Sequence, residues 1–236
     1  MRARVLGTNA VAPLDDAQHQ NLLIHVDHHI TCQPPFAGCM AEVRIMKVSR
    51  EQAAANRERI IEAAGELFRR KGFAGIGVAD IMKAADLTHG GFYGHFASKD
   101  DLIAQASRRS MQRSAEAWRK MVAQPGGNAL TELLAHYVSS RHRDDPAHGC
   151  AFAALGSDAA RCGKPVRAAF AEGLAPLIDI LTDLVAGRTK AARRRRAIAA
   201  MSELVGAIIL SRAVDDAGLS DEILDAARRE LLGAAR

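Results

Sequence analysis

The sequence has few aromatic residues and no long apolar run. Only 4% of its 236 residues are aromatic, although 48% are hydrophobic. Its core must therefore consist mainly of aliphatic side chains and Ala, a composition that favours helices. No apolar stretch approaches the roughly 20 residues that a membrane-spanning helix needs. The stretch after Arg4 is broken by Pro13 and Asp15 and lacks the apolar segment of a secretory signal. We therefore expect a cytoplasmic protein without a membrane partner.

Cysteine is also scarce, and the charge imbalance is small. Four cysteines in a cytoplasmic protein are expected to be reduced thiols rather than a disulfide framework. The formal net charge of +5 favours anionic partners such as nucleic acid only weakly. Neither the Ser-His-Asp pattern of a hydrolase nor a phosphate-binding loop is present, so the sequence does not indicate an enzyme or a bound cofactor.

Residues 1–45 differ from the remainder of the chain because they combine three prolines with no helical apolar period. Two interpretations stay open: an extension without regular structure, or a segment that precedes the true start at Met46. The spacing of the potential ligands in this segment matches no established zinc pattern, so we predict no metal site. These potential ligands are His25, His28, His29, Cys32 and Cys39.

From residue 46 onward the apolar residues recur at helical spacing. Ile60, Ile61, Ala64 and Phe68 form one stripe, which predicts a helix over 50–71 that ends at Gly72. No alternating strand pattern or hairpin signal appears, so we predict an all-α fold. Further helices are expected over 78–84, from Thr88, from Ser98 to about 122, and near 128–143, 150–161, 164–186, 190–215 and 220–235. Pro176 is expected to kink the 164–186 helix.

The two short helices behind the first long helix have the outline of a helix-turn-helix. Thr88 is a suitable N-cap for the second of them. The small residues Gly90 and Gly91 would let that helix approach a DNA backbone closely, and its exposed amides favour a phosphate. Tyr93, His95 and Lys99 supply hydrogen-bond donors at spacings suited to phosphate contacts.

The segment from 57 to 102 resembles the DNA-binding signature of the tetracycline-repressor (TetR) family. The matching residues are Gly72-Phe73, Val78-Ala79-Asp80-Ile81, Ala84 to Phe96, and Ser98-Lys99-Asp100-Asp101-Leu102. The resemblance implies that Thr88, His89 and Gly91 face the major groove and that Tyr93, His95 and Lys99 hold phosphates. The sequence departs from the family pattern at Gly77, where a capping Ser or Thr is usual, and at Asp86, where Gly is usual. Asp tolerates the left-handed conformation that such a turn requires.

The resemblance also implies a helix-turn-helix DNA-binding domain over 46–102, followed by an effector-binding and dimerisation bundle over 103–236. A homodimer would form through the helices near 190–215 and 220–235. The candidate interface residues are Ile198, Met201, Val205, Ile208, Ile209, Ile223, Leu224, Ala227 and Leu231. The alternative for each of them is ordinary core within one chain.

An effector pocket is expected to be largely apolar with a few polar groups. Candidates to line it are Trp118, His136, Tyr137, Cys150, Phe152 and Phe170. Cys150 could also act as a redox or electrophile sensor, since a helix N-terminus favours a thiolate, although a buried inert thiol is the plainer interpretation. The sequence thus predicts a DNA-binding repressor released by an unknown small molecule. The alternative is a helical small-molecule-binding protein that binds no operator.

Overall fold

A computed structural model describes residues 49–233, and within this range all regular structure is helical. The all-α prediction is therefore confirmed for the described residues. The α-helices are α1 (Arg50–Lys71), α2 (Val78–Ala84), α3 (Lys99–Val122), α4 (Ala129–Tyr137), α5 (Ser140–Asp144), α6 (Ala151–Ala160), α7 (Lys164–Leu184), α8 (Lys190–Ala213) and α9 (Ala217–Gly233). Two 3-10 helices occupy His89–Gly94 and Pro146–His148.

The first helix has the bounds that its apolar stripe predicts. Ser49 caps its start, because the Ser49 hydroxyl accepts the backbone N–H of Gln52 at 3.0 Å. Gly72 ends it with φ of 75°, a backbone conformation that side chains with a Cβ rarely adopt. The stripe residues Ile60 and Phe68 are buried, and they pack against α2 and α3 in one core.

Three predicted elements differ from the structure. The helix expected over 128–143 is two helices, because Ser139 is extended and its hydroxyl caps α5 by accepting the His142 N–H at 3.2 Å. The element that follows Thr88 is a 3-10 helix, and the Thr88 side chain makes no capping hydrogen bond. The last helix begins at Ala217 rather than near 220, since the Asp216 carboxylate accepts the Leu219 N–H at 2.9 Å.

Two apolar cores follow one another along the molecule. The first joins α1, α2 and the His89–Gly94 segment to the early part of α3, to α6 and to the start of α7. The second joins the later parts of α3 and α7 to α4, α8 and α9. The long helix α3 belongs to both cores and packs along α7. It therefore connects the region that resembles a DNA-binding unit rigidly to the remainder of the molecule.

The predicted extension over 1–45 and its candidate metal ligands lie outside the described residues. Among the helices of residues 49–233, none combines the length and the apolar character that crossing a membrane requires. Pro176 lies inside α7, which continues without interruption on both sides of it.

Candidate nucleic-acid interface and effector cleft

The segment predicted to read DNA, called the recognition segment below, is the 3-10 helix His89–Gly94 with its N-cap Thr88. Its outer residues are exposed above a buried aromatic pair. Thr88, His89 and Gly90 are exposed, and the side chain of Tyr93 is 73% exposed, the largest value among the exposed large hydrophobic residues. Beneath them Phe92 is fully buried and stacks on Phe96 with ring centroids 5.6 Å apart. The buried pair fixes the segment, while its polar residues stay available to a ligand as large as a DNA duplex.

The turn before this segment has the geometry expected for a helix-turn-helix. Asp86 adopts a positive φ of 54°, so Asp takes the left-handed position where the family pattern has Gly. The first helix of the pair starts at Gly77, which has no side chain to cap it. The Asp80 carboxylate supplies half of a capping box instead, by accepting the Gly77 N–H at 3.2 Å.

Lys99 has a role inside the protein that its sequence pattern did not suggest. Its ammonium donates to the backbone carbonyls of Phe73 and Ile76, each at 2.6 Å. Two of its three N–H donors are therefore used to fix the connection between α1 and α2. The contact of Lys99 with a DNA phosphate stays a prediction, and these two hydrogen bonds leave one N–H donor for it.

Two further residues support the recognition unit and were missed in the sequence. Asp158 on α6 accepts the backbone N–H of Phe73 at 3.0 Å. The guanidinium of Arg57 lies over the ring of Phe96 at 5.0 Å, a cation–π contact. His95 and Gly91 are half-buried beside this core. No local sequence signal pairs Asp158 with Phe73, because the contact joins residues 85 positions apart.

A cleft of about 720 Å³ opens between α1, α3, α4 and the segment from α5 to Cys150. Four predicted effector residues line it: Trp118, His136, Tyr137 and Cys150. Phe152 and Phe170 do not. Their rings pack edge to face at 5.3 Å, with Phe170 buried in the first core and Phe152 packed against both cores. Helical spacing alone could not separate them from cleft residues.

His142 organises the floor of this cleft and was not predicted. Its Nδ1 lies 2.7 Å from the carbonyl of Tyr137, and its Nε2 accepts the backbone N–H of Cys150 at 2.9 Å. The ring therefore carries its proton on Nδ1 and is neutral. Burial is the main cause that lowers the pKa of His142 to about 4. Its ring also packs edge to face on Tyr137, with centroids 4.6 Å apart.

The rim of the cleft carries charged side chains next to its apolar floor. Its cationic side chains are Arg69, Arg109, Arg113 and Arg141, and its anionic ones are Glu62, Glu66 and Asp145. Two arginines of α3, Arg109 and Arg113, pair with Glu62, and Arg109 also pairs with Glu58. A ligand in this cleft would thus meet an aromatic floor and a rim that carries both cationic and anionic side chains.

The candidate dimer residues separate into two groups in the structure. The first group is buried in the second core of the same chain, as in the alternative that the sequence left open, and consists of Met201, Ile208, Leu224, Ala227 and Leu231. Ile198 and Ile209 are 44% and 40% exposed, and Val205 and Ile223 are half-buried. The sequence missed two further exposed residues of α8 and α9, Leu210 and Leu219. One-sided apolar periodicity could not distinguish the two faces, because α8 is apolar on both.

Comparison with known proteins agrees with this geometry. Residues 60–106 match the family model of bacterial regulatory proteins of the tetR family. The transcriptional repressor NemR of Escherichia coli K12 is 22% identical over 129 residues, which cover 53% of this chain and 65% of NemR. The transcriptional regulator AcrR of Shigella flexneri is 30% identical over 95 residues, covering 39% of this chain and 44% of AcrR. The chain thus spans less than two thirds of either relative.

The solved structure of reduced E. coli NemR superposes with a TM-score of 0.65 at 19% sequence identity, covering 77% of this chain and 97% of NemR. At that identity the likeness establishes the fold alone. Residues 60–106 therefore match the DNA-binding part of the TetR family, and the described residues have the fold of solved members of that family.

Proposed function

We propose that the protein is a homodimeric repressor that binds a palindromic operator and is released by a small molecule bound in the cleft. The observation that carries this proposal is the exposed segment Thr88–Gly90 above the buried Phe92, next to the exposed Tyr93. A helix-turn-helix must present polar atoms to base edges on a support that does not move. This arrangement satisfies both requirements.

An apolar face on α8 and α9 supports the homodimer. Ile198, Val205 and Ile209 recur on one side of α8, and Ile223 of α9 is half-buried. A monomer that exposed these residues together would leave apolar area in contact with water. A two-fold pairing of this face would cover it and would present two recognition segments to two half-sites.

The connection between the cleft and α1 supports release by an effector. The Arg69 guanidinium, at the end of α1, donates to the carbonyl of Ala147 at 2.6 Å and to the Ser110 hydroxyl. Both Arg69 and Ser110 line the cleft. A molecule bound there would act on α1 directly and could shift the population toward a form whose recognition segments are wrongly spaced.

Selection of duplexes from a random library by the full chain would test the proposal. We expect enrichment of a palindrome, bound by two copies of the chain as measured by light scattering of the complex. His89→Ala should weaken binding to the selected duplex, while the exposed Ala135→Ser, on α4, should not. Selection that returns no common sequence would contradict the proposal.

The second candidate function is a small-molecule-binding protein without an operator. The observation that favours this function is the cleft, whose volume of about 720 Å³ is large enough for a small molecule. That function, however, gives no reason for the exposure of Tyr93 and His89. The same selection separates the two functions, since a protein of the second kind would enrich nothing.

A further inference from the structure

Arg69, at the edge of the cleft, is a partly desolvated cation that makes no ion pair within the described residues. It is half-buried, and burial is the main cause that lowers the pKa of its guanidinium, although Glu66 and Glu62 offset part of this effect. Its hydrogen bonds go to neutral groups, the carbonyl of Ala147 and the hydroxyl of Ser110. Among the described residues, no carboxylate oxygen lies within ion-pair distance of it. Removing a cation from water without pairing it is unfavourable unless something else supplies the negative charge.

The carboxylates around Arg69 are engaged by other groups. Glu62 is shared between Arg109, at 3.5 Å, and Arg113. Glu66 lies 3.9 Å from His148, and Asp145 lies 2.8 Å from the same imidazole. Arg141, at the rim, is exposed and has no ion pair within the described part of the chain. The four arginines of the cleft face its three carboxylates and Glu58, the further partner of Arg109, and within the described residues Arg69 and Arg141 are the two that make no ion pair.

The donors that Arg69 retains suit a carboxylate. A guanidinium has five N–H donors, and two of those of Arg69 are used within the protein. The remaining N–H groups lie on the two terminal nitrogens, from which they can donate to both oxygens of one carboxylate. Next to this charge, Trp118 and Tyr137 pack edge to face with centroids 5.8 Å apart and provide an apolar wall.

We propose that the cleft binds a small organic carboxylate with an aromatic or other apolar body, with Arg69 as its counter-ion. The body would lie against Trp118, Tyr137 and Leu177, which are buried in the floor. The effector role of such a ligand rests on the proposed function; its binding does not. Because Arg69 also holds Ala147, a carboxylate would compete for the guanidinium that ties α1 to the floor of the cleft.

Trp118 provides the measurement, because it is the one tryptophan of the sequence and it lines the cleft. The probes are 4-phenylbutyrate and 4-phenylbutyramide, which match in size and differ in charge. Titration of the full chain, followed by tryptophan fluorescence and calorimetry, should show the carboxylate bound about tenfold more tightly than the amide, which is about 1.4 kcal/mol.

Three variants identify the counter-ion. Arg69→Gln should bring the two affinities within about twofold of each other, since the charge that distinguishes them is removed. Arg69→Lys should retain part of the preference. Arg108→Gln is the matched control on α3: its guanidinium pairs with Glu172 and does not line the cleft, so the preference should stay unchanged. Helicity measured by circular dichroism verifies that each variant is folded.

Three results would overturn the proposal: equal affinities in the wild-type chain, no binding of either probe, or a preference that survives in folded Arg69→Gln. Binding of the ligand-free chain to its selected duplex is measured in parallel. Duplex binding without carboxylate preference rejects this inference and leaves the proposed function standing. Carboxylate preference without a selected duplex supports the inference and rejects the proposed function.

Discussion

The Asp158 carboxylate on α6 accepts the backbone N–H of Phe73, the second residue after α1, at 3.0 Å. A Cβ built on the neighbouring Gly72 would lie only 2.8 Å from the same carboxylate, so a side chain there would displace the contact. The helix α6 begins next to Cys150, at the floor of the cleft. One short helix therefore extends from the cleft to the entrance of the helix-turn-helix.

Asp158→Ala should loosen that entrance. The half-buried N–H of Phe73 would lose its acceptor, which we expect to cost about 1–2 kcal/mol of unfolding free energy and to weaken DNA binding. Asp158→Asn keeps an acceptor oxygen and should restore most of both. The exposed Asp183→Ala serves as control for the loss of one carboxylate. Amide hydrogen exchange at Phe73 measures the contact itself, and an exchange rate unchanged in Asp158→Ala would contradict this role.

Lys99→Ala should reduce stability more than the loss of an exposed lysine does. Two carbonyls, those of Phe73 and Ile76, would lose a charged donor, at a cost of about 1–3 kcal/mol measured by urea unfolding. Lys83→Ala is the control, since Lys83 is exposed near the end of α2. If Lys99→Ala unfolds like the wild-type chain and only the salt dependence of DNA binding falls, Lys99 serves a phosphate alone.

Local patterns in the sequence predicted the helices and the recognition segment well. The bounds of α1 and α2 follow from the spacing of apolar residues, whereas the turn at Asp86 and the exposure of His89 follow from the family resemblance. Contacts between distant residues could not be predicted in this way. The bonds from Asp158 to Phe73 and from His142 to Cys150 depend on how helices pack, and helical periodicity does not distinguish the core face of α8 from an exposed apolar face.

Ile209→Glu should produce a folded monomer, whereas Ile208→Glu should unfold the chain. Ile209 is 40% exposed on the apolar face of α8, and the neighbouring Ile208 is fully buried in the core. A charge at Ile209 is unfavourable only when a second chain covers the exposed face. A charge at Ile208 is unfavourable in both the folded monomer and the dimer, because it is buried in each. Light scattering and circular dichroism separate the two outcomes, with Ala135→Glu, at an exposed position of α4, as control. A dimer that persists in Ile209→Glu would place the interface elsewhere.

His142 should make stability depend on pH between about 4 and 6.5. Its folded pKa of about 4 lies below the usual value of 6.5, so the unfolded chain binds a proton first as the pH falls. Stability is therefore lost on acidification through this range, by up to about 2–3 kcal/mol. His142→Asn should flatten the difference in urea unfolding between pH 7 and pH 4.5, and His136→Asn, an exposed residue of the same cleft, should not. Identical pH profiles for wild type and His142→Asn would contradict the burial of a neutral ring.

Within the recognition segment we expect one residue to read bases and another to hold the DNA phosphate backbone. His89 opens the exposed 3-10 helix, where its ring is placed to meet base edges, so His89→Ala should relax preference at one position of each half-site by about 1–3 kcal/mol. Tyr93 lies about one turn later and packs edge to face on Phe92, with ring centroids 5.1 Å apart. Its hydroxyl suits a phosphate. Tyr93→Phe should weaken all sequences about equally, because phosphates carry no sequence information. Binding of both variants to every single-base change in the selected duplex measures the division, and a uniform loss in His89→Ala or an altered preference in Tyr93→Phe would reverse it.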